Sequence, residues 1–227
     1  MKLIRSIFGL GLLALSLSAQ AALVTVTASG TGNYYDYANG VYTNNVSISQ
    51  TWTFDTNDLP ADIYSSYTDR SHFYSQTDWM DSSVQVSGGT VVAEAALVTD
   101  TTYSQDYLYL ENGSAGSRDF YQVYSYDYDS TNASYFYSYA YVAEYIDDIV
   151  QGKGADQNFN WIDNDASDIG YGYARWYDWN GTSYDANSYA SYYLDSMTVS
   201  TASVPEPSTL LLFGLGLLGL AARRVRS

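Results

Sequence analysis

The chain has 227 residues, with 25 Asp and Glu against 9 Lys and Arg, one His, no Cys and 26 Tyr. Residues 22–204 keep only Arg70, Arg118, Lys153 and Arg175 against 24 acids, a net charge near −20, which excludes nucleic acid and anionic lipid as partners because both need clustered Lys and Arg. The missing Cys exclude disulfides, thiol nucleophiles, Cys-zinc sites and iron–sulfur ligation, and one His excludes a multi-His metal centre.

Leu, Ile, Val and Phe make up only 31 of the 183 residues in 22–204, a composition that borders on disorder at this charge. All 26 Tyr and all 5 Trp lie in the same segment, so a folded domain is expected with much of its core built from tyrosine.

Met1–Ala21 reads as a secretory signal peptide. Lys2 and Arg5 precede the apolar run Ile7–Leu17, and Ala19-Gln20-Ala21 supplies a small-x-small cleavage site that leaves Ala22 first in the mature chain. Period-two alternation then predicts strands. Val24, Val26 and Ala28 alternate with threonines, and Val46, Ile48, Trp52 and Phe54 share one parity. Val84-Gln85-Val86 and Val91-Val92 flank a turn at Gly88-Gly89, while Tyr107 and Tyr109 lead into a turn at Glu111-Asn112-Gly113. Phe120, Tyr124, Tyr126 and Tyr128 share one face, as do Tyr135, Tyr137, Tyr139, Tyr141 and Tyr145. Within the middle segment, Glu144–Val150 alone reads instead as a short helix. The last strand, about Tyr189–Ser200, sets Tyr193, Met197 and Val199 on one side and Tyr192 and Leu194 on the other. Many short strands with Gly, Asn and Asp turns predict an all-β, Tyr-rich antiparallel β-sandwich over residues 22–203.

Val204-Pro205-Glu206-Pro207-Ser208 opens a separate C-terminal unit, residues 204–227. Its prolines impose an extended approach, and Thr209–Ala222 follows as an apolar run of fourteen residues, short for a full membrane span and expected as a short hydrophobic helix. Arg223, Arg224 and Arg226 hold the far end in the cytoplasm, as Lys2 and Arg5 hold the other, so the middle segment sits outside. This three-part tail closely resembles the PEP-CTERM protein-sorting signal of Gram-negative bacteria, a segment also catalogued as an ice-binding protein C-terminal domain. The resemblance implies passage through the secretion machinery, transient inner-membrane insertion and recognition by an exosortase, a membrane-embedded transpeptidase-like enzyme that cleaves near the Pro-Glu-Pro motif. It also implies a bacterium that makes exopolysaccharide or biofilm matrix, and a final place at the cell surface or outside. Trp52–Thr56 with Leu59-Pro60, and Leu194–Ser200, resemble the early strand and last strand of other passengers of this sorting signal.

Chemistry in the middle segment is sparse. His72 lacks a nucleophile elbow around it and reads as a surface or strand-edge residue. Calcium is the cofactor the Asp-rich turns would take, through Asp127 and Asp129 or through Asp163, Asp165 and Asp168, since Ca²⁺ wants six to eight oxygens. Trp161, Trp176 and Trp179, close in sequence to such Asp residues, are the aromatic candidates for stacking on sugar rings. The expectation is a non-enzymatic, exported surface or matrix protein, structural or exopolysaccharide-binding. The alternative is a secreted polysaccharide hydrolase with two convergent carboxylates in an aromatic cleft. Thr residues too scattered to form a flat array speak against ice binding.

Overall fold

Residues that alternate Val, Ile, Leu or Ala with Ser, Thr or Tyr satisfy a sheet with one side against a core, and the chain builds nothing else of regular structure among its described residues. The computed structural model describes residues 22–203 apart from 89–90, 97–102, 114–117, 132, 146–147, 165–167 and 180–181. The expected signal peptide at 1–21, the sorting motif, the apolar helix and the arginine cluster lie outside the described residues. Residues Leu23–Thr201 form one compact unit.

Eleven strands are described: β1 (Ala22–Asp36), β2 (Val41–Asp55), β3 (Arg70–Ser75), β4 (Asp81–Gly88), β5 (Val91–Ala96), β6 (Tyr103–Glu111), β7 (Asp119–Asp129), β8 (Ser134–Glu144), β9 (Phe159–Ile162), β10 (Ile169–Trp179) and β11 (Tyr184–Ser203). They hydrogen-bond into one sheet in the order β3-β6-β7-β8-β10-β11-β1-β2-β4-β5, with β9 added beside β11. The pairings within β6-β7-β8-β10-β11 and within β1-β2-β4-β5 are antiparallel.

The sheet folds over on itself. Trp52 on β2 donates Nε1–H to Ser138 Oγ on β8 at 2.9 Å, although β10, β11 and β1 separate those strands in the sheet. Gln50 on β2 likewise donates to the Tyr173 carbonyl on β10 at 3.1 Å and accepts from the Tyr192 hydroxyl on β11 at 2.8 Å. The β1-β2-β4 half therefore covers the inner side of the β6-β7-β8-β10 half, giving the two layers of the antiparallel β-sandwich that the alternation predicts.

The core departs from expectation. Only Tyr34, Tyr121 and Tyr192 are buried among the described tyrosines; the rest of the apolar interior is Val, Leu, Ile, Ala, Trp, Phe and Met. The few aliphatics suffice because inward positions also hold small residues, which bring the layers close. The Tyr192 ring fills the space a Cβ at Gly172 would need, and the Trp161 ring fills that at Gly170. Two smaller expectations also change. The described residues of 144–150 are not helical: Glu144 ends β8, and the backbone N–H groups of Ile149 and Val150 are held by Asp119 Oδ2 at 2.8 and 2.9 Å. In β11, Tyr192 and Leu194 face the core, but so do Met197 and Val199, while Tyr193 is 76% exposed. The inward side shifts by one residue where β9 joins at Ser196, so Tyr193 does not share a side with Met197 and Val199.

Candidate functional site

Alternation sends one side of each strand inward, and on β6, β7, β8 and β10 the other side is mostly tyrosine. The strand register aligns these residues into rows that cross the sheet. Tyr74, Tyr107, Tyr124, Tyr139 and Tyr173 are successive cross-strand partners from β3 to β10. A second row runs Gln105, Tyr126, Tyr137, Arg175, Tyr189, and a third Tyr103, Tyr128, Tyr135, Tyr177. A fourth takes His72, Tyr109, Gln122, Tyr141, Tyr171, Tyr193. Neighbouring strands are about 4.8 Å apart and alternate residues along a strand about 6.7 Å, so the rings tile the face at contact distance.

The rings hold one another. Tyr107 and Tyr124 stack with centroids 4.6 Å apart, Tyr139 stacks on Tyr173 at 5.9 Å, and Tyr173 on Tyr189 at 6.0 Å. Tyr137 meets Tyr124 edge-on at 5.2 Å. Such pairs are worth about 0.5–1.5 kcal/mol beyond burial. Burial first, and neighbouring phenols second, push the Tyr124 hydroxyl up to about 12, and the Tyr137 and Tyr139 hydroxyls also shift upward. These three hydroxyls therefore stay protonated, as donors and acceptors, far into alkaline pH.

Charge is distributed inversely to ordinary surfaces. Asp106, Asp119, Asp127, Asp129 and Glu144, all on β6, β7 and β8, point inward and are buried. Outward positions of β6, β7, β8 and β10 carry one carboxylate, Glu111 at the rim, 3.5 Å from Arg70. A domain near −20 thus presents a broad face nearly free of acids.

Beneath that face, register sets Ser104 opposite Asp127 and Asp106 opposite Ser125. Asp106 Oδ2 accepts from the backbone N–H groups of Trp79 and Met80 at 3.0 and 3.2 Å, and Asp127 Oδ2 accepts from Ser125 Oγ at 3.2 Å. The remaining oxygen of each carboxylate, Asp106 Oδ1 and Asp127 Oδ1, is buried without a hydrogen-bond partner. Burial, and for Asp127 the nearby Asp106 charge, pushes both carboxyls up to about 7.

The residues singled out by sequence fall elsewhere. Trp161 is 2% and Trp176 8% exposed, both inside the core, so their rings are not offered to a ligand; the side chain of Trp179 lies outside the described residues. Proximity to Asp in sequence does not set the direction of a side chain; strand parity sends Trp161 and Trp176 inward. Asp127 and Asp129 are buried on β7, whereas Asp163 and Asp168 belong to the β9–β10 connection and Asp165 lies outside the described residues. Among the described residues no three His, Asp or Glu side chains converge as metal ligands would. His72 sits on the edge strand β3, half-buried between Tyr107 and Tyr109 of β6, as a strand-edge reading expects. An open pocket of about 360 Å³ between β2 and β4 is lined by Asp55, Asp58, Asp78 and Asp81 with Phe54 and Trp79. It went unseen in the sequence because the turn after β2 and the approach to β4 are 20 residues apart.

Residues 203–226 match the family model of the PEP-CTERM protein-sorting motif. That match marks the chain as an exported protein sorted by an exosortase. No curated protein and no solved structure matches the chain.

Proposed function

We propose that the domain is a non-enzymatic polysaccharide-binding module, held at the cell surface or in the exopolysaccharide matrix after exosortase sorting. The observation that carries this reading is the outward set of tyrosine rows spanning β3 to β11. Aromatic faces stack on the C–H faces of sugar rings, and phenols that stay protonated hydrogen-bond sugar hydroxyls. A repeating array suits a repeating ligand. A second copy of the domain is a poorer occupant, because two bodies near −20 repel. An open sheet face also suits binding better than the hydrolytic alternative, which needs two opposed acids in a cleft.

The test is retention of the full-length chain on a panel of neutral and acidic polysaccharides. Tyr137→Ala with Tyr173→Ala is expected to weaken binding at least tenfold, as loss of about 1–2 kcal/mol per stacked ring implies. Melting should fall by several degrees, since both rings lose contacts with their neighbours, so binding is compared well below the variant's midpoint. Undiminished binding by the double variant would reject the face as the binding surface. Sorting has its own readout. Protein recovered from the surface of producing cells is expected to lack Arg223, Arg224 and Arg226, and an intact mass that includes Arg226 would mean the tail persists as an anchor.

A further inference from the structure

The middle segment has four cations; two are ion-paired, and a third, like Arg175, lies over an aromatic ring but sits at the start of a strand. Arg70 bonds Asp69 and Glu111, Lys153 bonds Asp62 and the carbonyls of the 64–67 turn, and Arg118 lies over the Phe120 ring at the start of β7. Arg175 differs. It is exposed on the outward side of β10, in register with Tyr137 of β8 and Tyr189 of β11, near the middle of the tyrosine rows. Among the described residues no carboxylate lies within ion-pairing distance of it; its contact is with the Tyr135 ring, 5.9 Å from the guanidinium carbon. An exposed cation–π contact of this kind is worth only about 0.5–1 kcal/mol. The segment holds 24 acids, yet among the described residues Arg175 has no carboxylate ion pair, and it sits on a broad face whose one outward acid on β6, β7, β8 and β10 is Glu111 at the rim.

We propose that Arg175 is an anion-reading residue of this face, and that the ligand is a mostly neutral polysaccharide bearing sparse carboxylates. This rests on the carbohydrate reading above and narrows its ligand class. The planar guanidinium offers a fork of N–H donors that matches a carboxylate, and charge-assisted pairs of that kind are stronger than neutral ones. Tyr135, Tyr137, Tyr173 and Tyr189 flank it, so a uronate whose ring stacks on a tyrosine brings its carboxylate to Arg175. The ligand's charge is sparse for a reason. A polymer charged at every sugar meets the negative field of the rest of the domain, whereas a single carboxylate at the cleared face does not.

Equilibrium binding of the full-length chain to gellan, a mostly neutral chain with one glucuronate in each repeat, tests this against the same polymer with its carboxylates reduced to alcohols. The wild-type chain is expected to prefer the unreduced polymer by about tenfold. Arg175→Gln should lose that preference while keeping its affinity for the reduced polymer, and Arg175→Lys should keep part of it. Raised salt should narrow the wild-type preference. Equal wild-type affinity for both forms, or a preference that survives in Arg175→Gln, overturns the assignment. Tighter binding to alginate, charged on every sugar, overturns the sparse-charge part. Failure to bind any glycan, neutral or acidic, removes the carbohydrate reading itself, whereas equal binding of the two gellan forms removes only the role of Arg175.

Discussion

Replacing Asp127 by Asn is expected to raise the thermal midpoint by roughly 5–10 °C at about pH 8 and to leave it nearly unchanged at about pH 4. Asp106 and Asp127 are fully buried; burial, with the Asp106 charge beside Asp127 and the Asp78 charge beside Asp106, pushes both up to about 7 in the folded domain. Each folded carboxyl therefore binds its proton more tightly than in the unfolded chain. Below the ordinary carboxylate range both states are protonated and nothing is lost. As pH rises, the unfolded carboxyls ionise first and favour unfolding; once the folded pair ionises near pH 7, the penalty levels off. A shift of about three units corresponds to about 4 kcal/mol for an isolated group, an upper bound for either member of a coupled pair. The amide keeps an oxygen for Ser125, and its new N–H donors can face the carboxylate of Asp106. Acids elsewhere titrate alike in both proteins and cancel in the difference. A gain of the same size at both pH values would show that the pair is not the source of the pH dependence.

Gly32→Ala is expected to cost at least about 3 kcal/mol in urea unfolding, and Gly30→Ala as much. β11 crosses β1 so closely there that a Cβ on Gly32 would lie 2.1 Å from the Ser191 carbonyl oxygen and 2.5 Å from the Tyr192 Cα. A Cβ on Gly30 would lie 2.0 Å from the Tyr193 carbonyl oxygen. These obstacles are backbone, so no rotamer change relieves them. Gly40→Ala separates this clash from the general loss of glycine freedom. Gly40 has φ +64° and nothing within 4 Å, and the substitution should cost only the left-handed penalty of about 1–2 kcal/mol. If Gly32→Ala costs no more than Gly40→Ala, the close crossing is not what fixes the glycine.

The strands were largely legible because period two is written plainly in stretches such as Tyr135–Tyr141 and Val46–Phe54. Which side faces in was not. Tyrosine at 135, 137, 139 and 141 outweighs Phe136, Ser138, Ala140 and Val142 in ring area, so counting rings turns the wrong side inward. The decision belongs to β2, whose Trp52 reaches Ser138 across the interior and needs small residues there. Parity failed also at Tyr193, because the inward side of β11 shifts by one residue between Leu194 and Met197. The tandem Ser-x-Asp of 104–106 and 125–127 carried no signal until the register of β6 on β7 set each serine against an aspartate. The four rows of the outer face needed the same register across six strands. No local pattern contains it, since β8 and β10 are joined by 24 intervening residues.

β11 is the longest strand, 20 residues, flanked in the sheet by β10 and β1 with β9 also paired to it, and its last residue, Ser203, immediately precedes Val204 of the sorting motif. Any tether formed at the C-terminal motif draws on that strand. Tension along it loads many interstrand bonds together in shear, on both flanks, where pulling on an edge strand would break them singly. The sheet edges, β3 and β5, lie far along the order from the point of attachment. Detachment under force is governed by how fast such a strand can be extracted. The topology therefore places any such attachment where peeling is hardest.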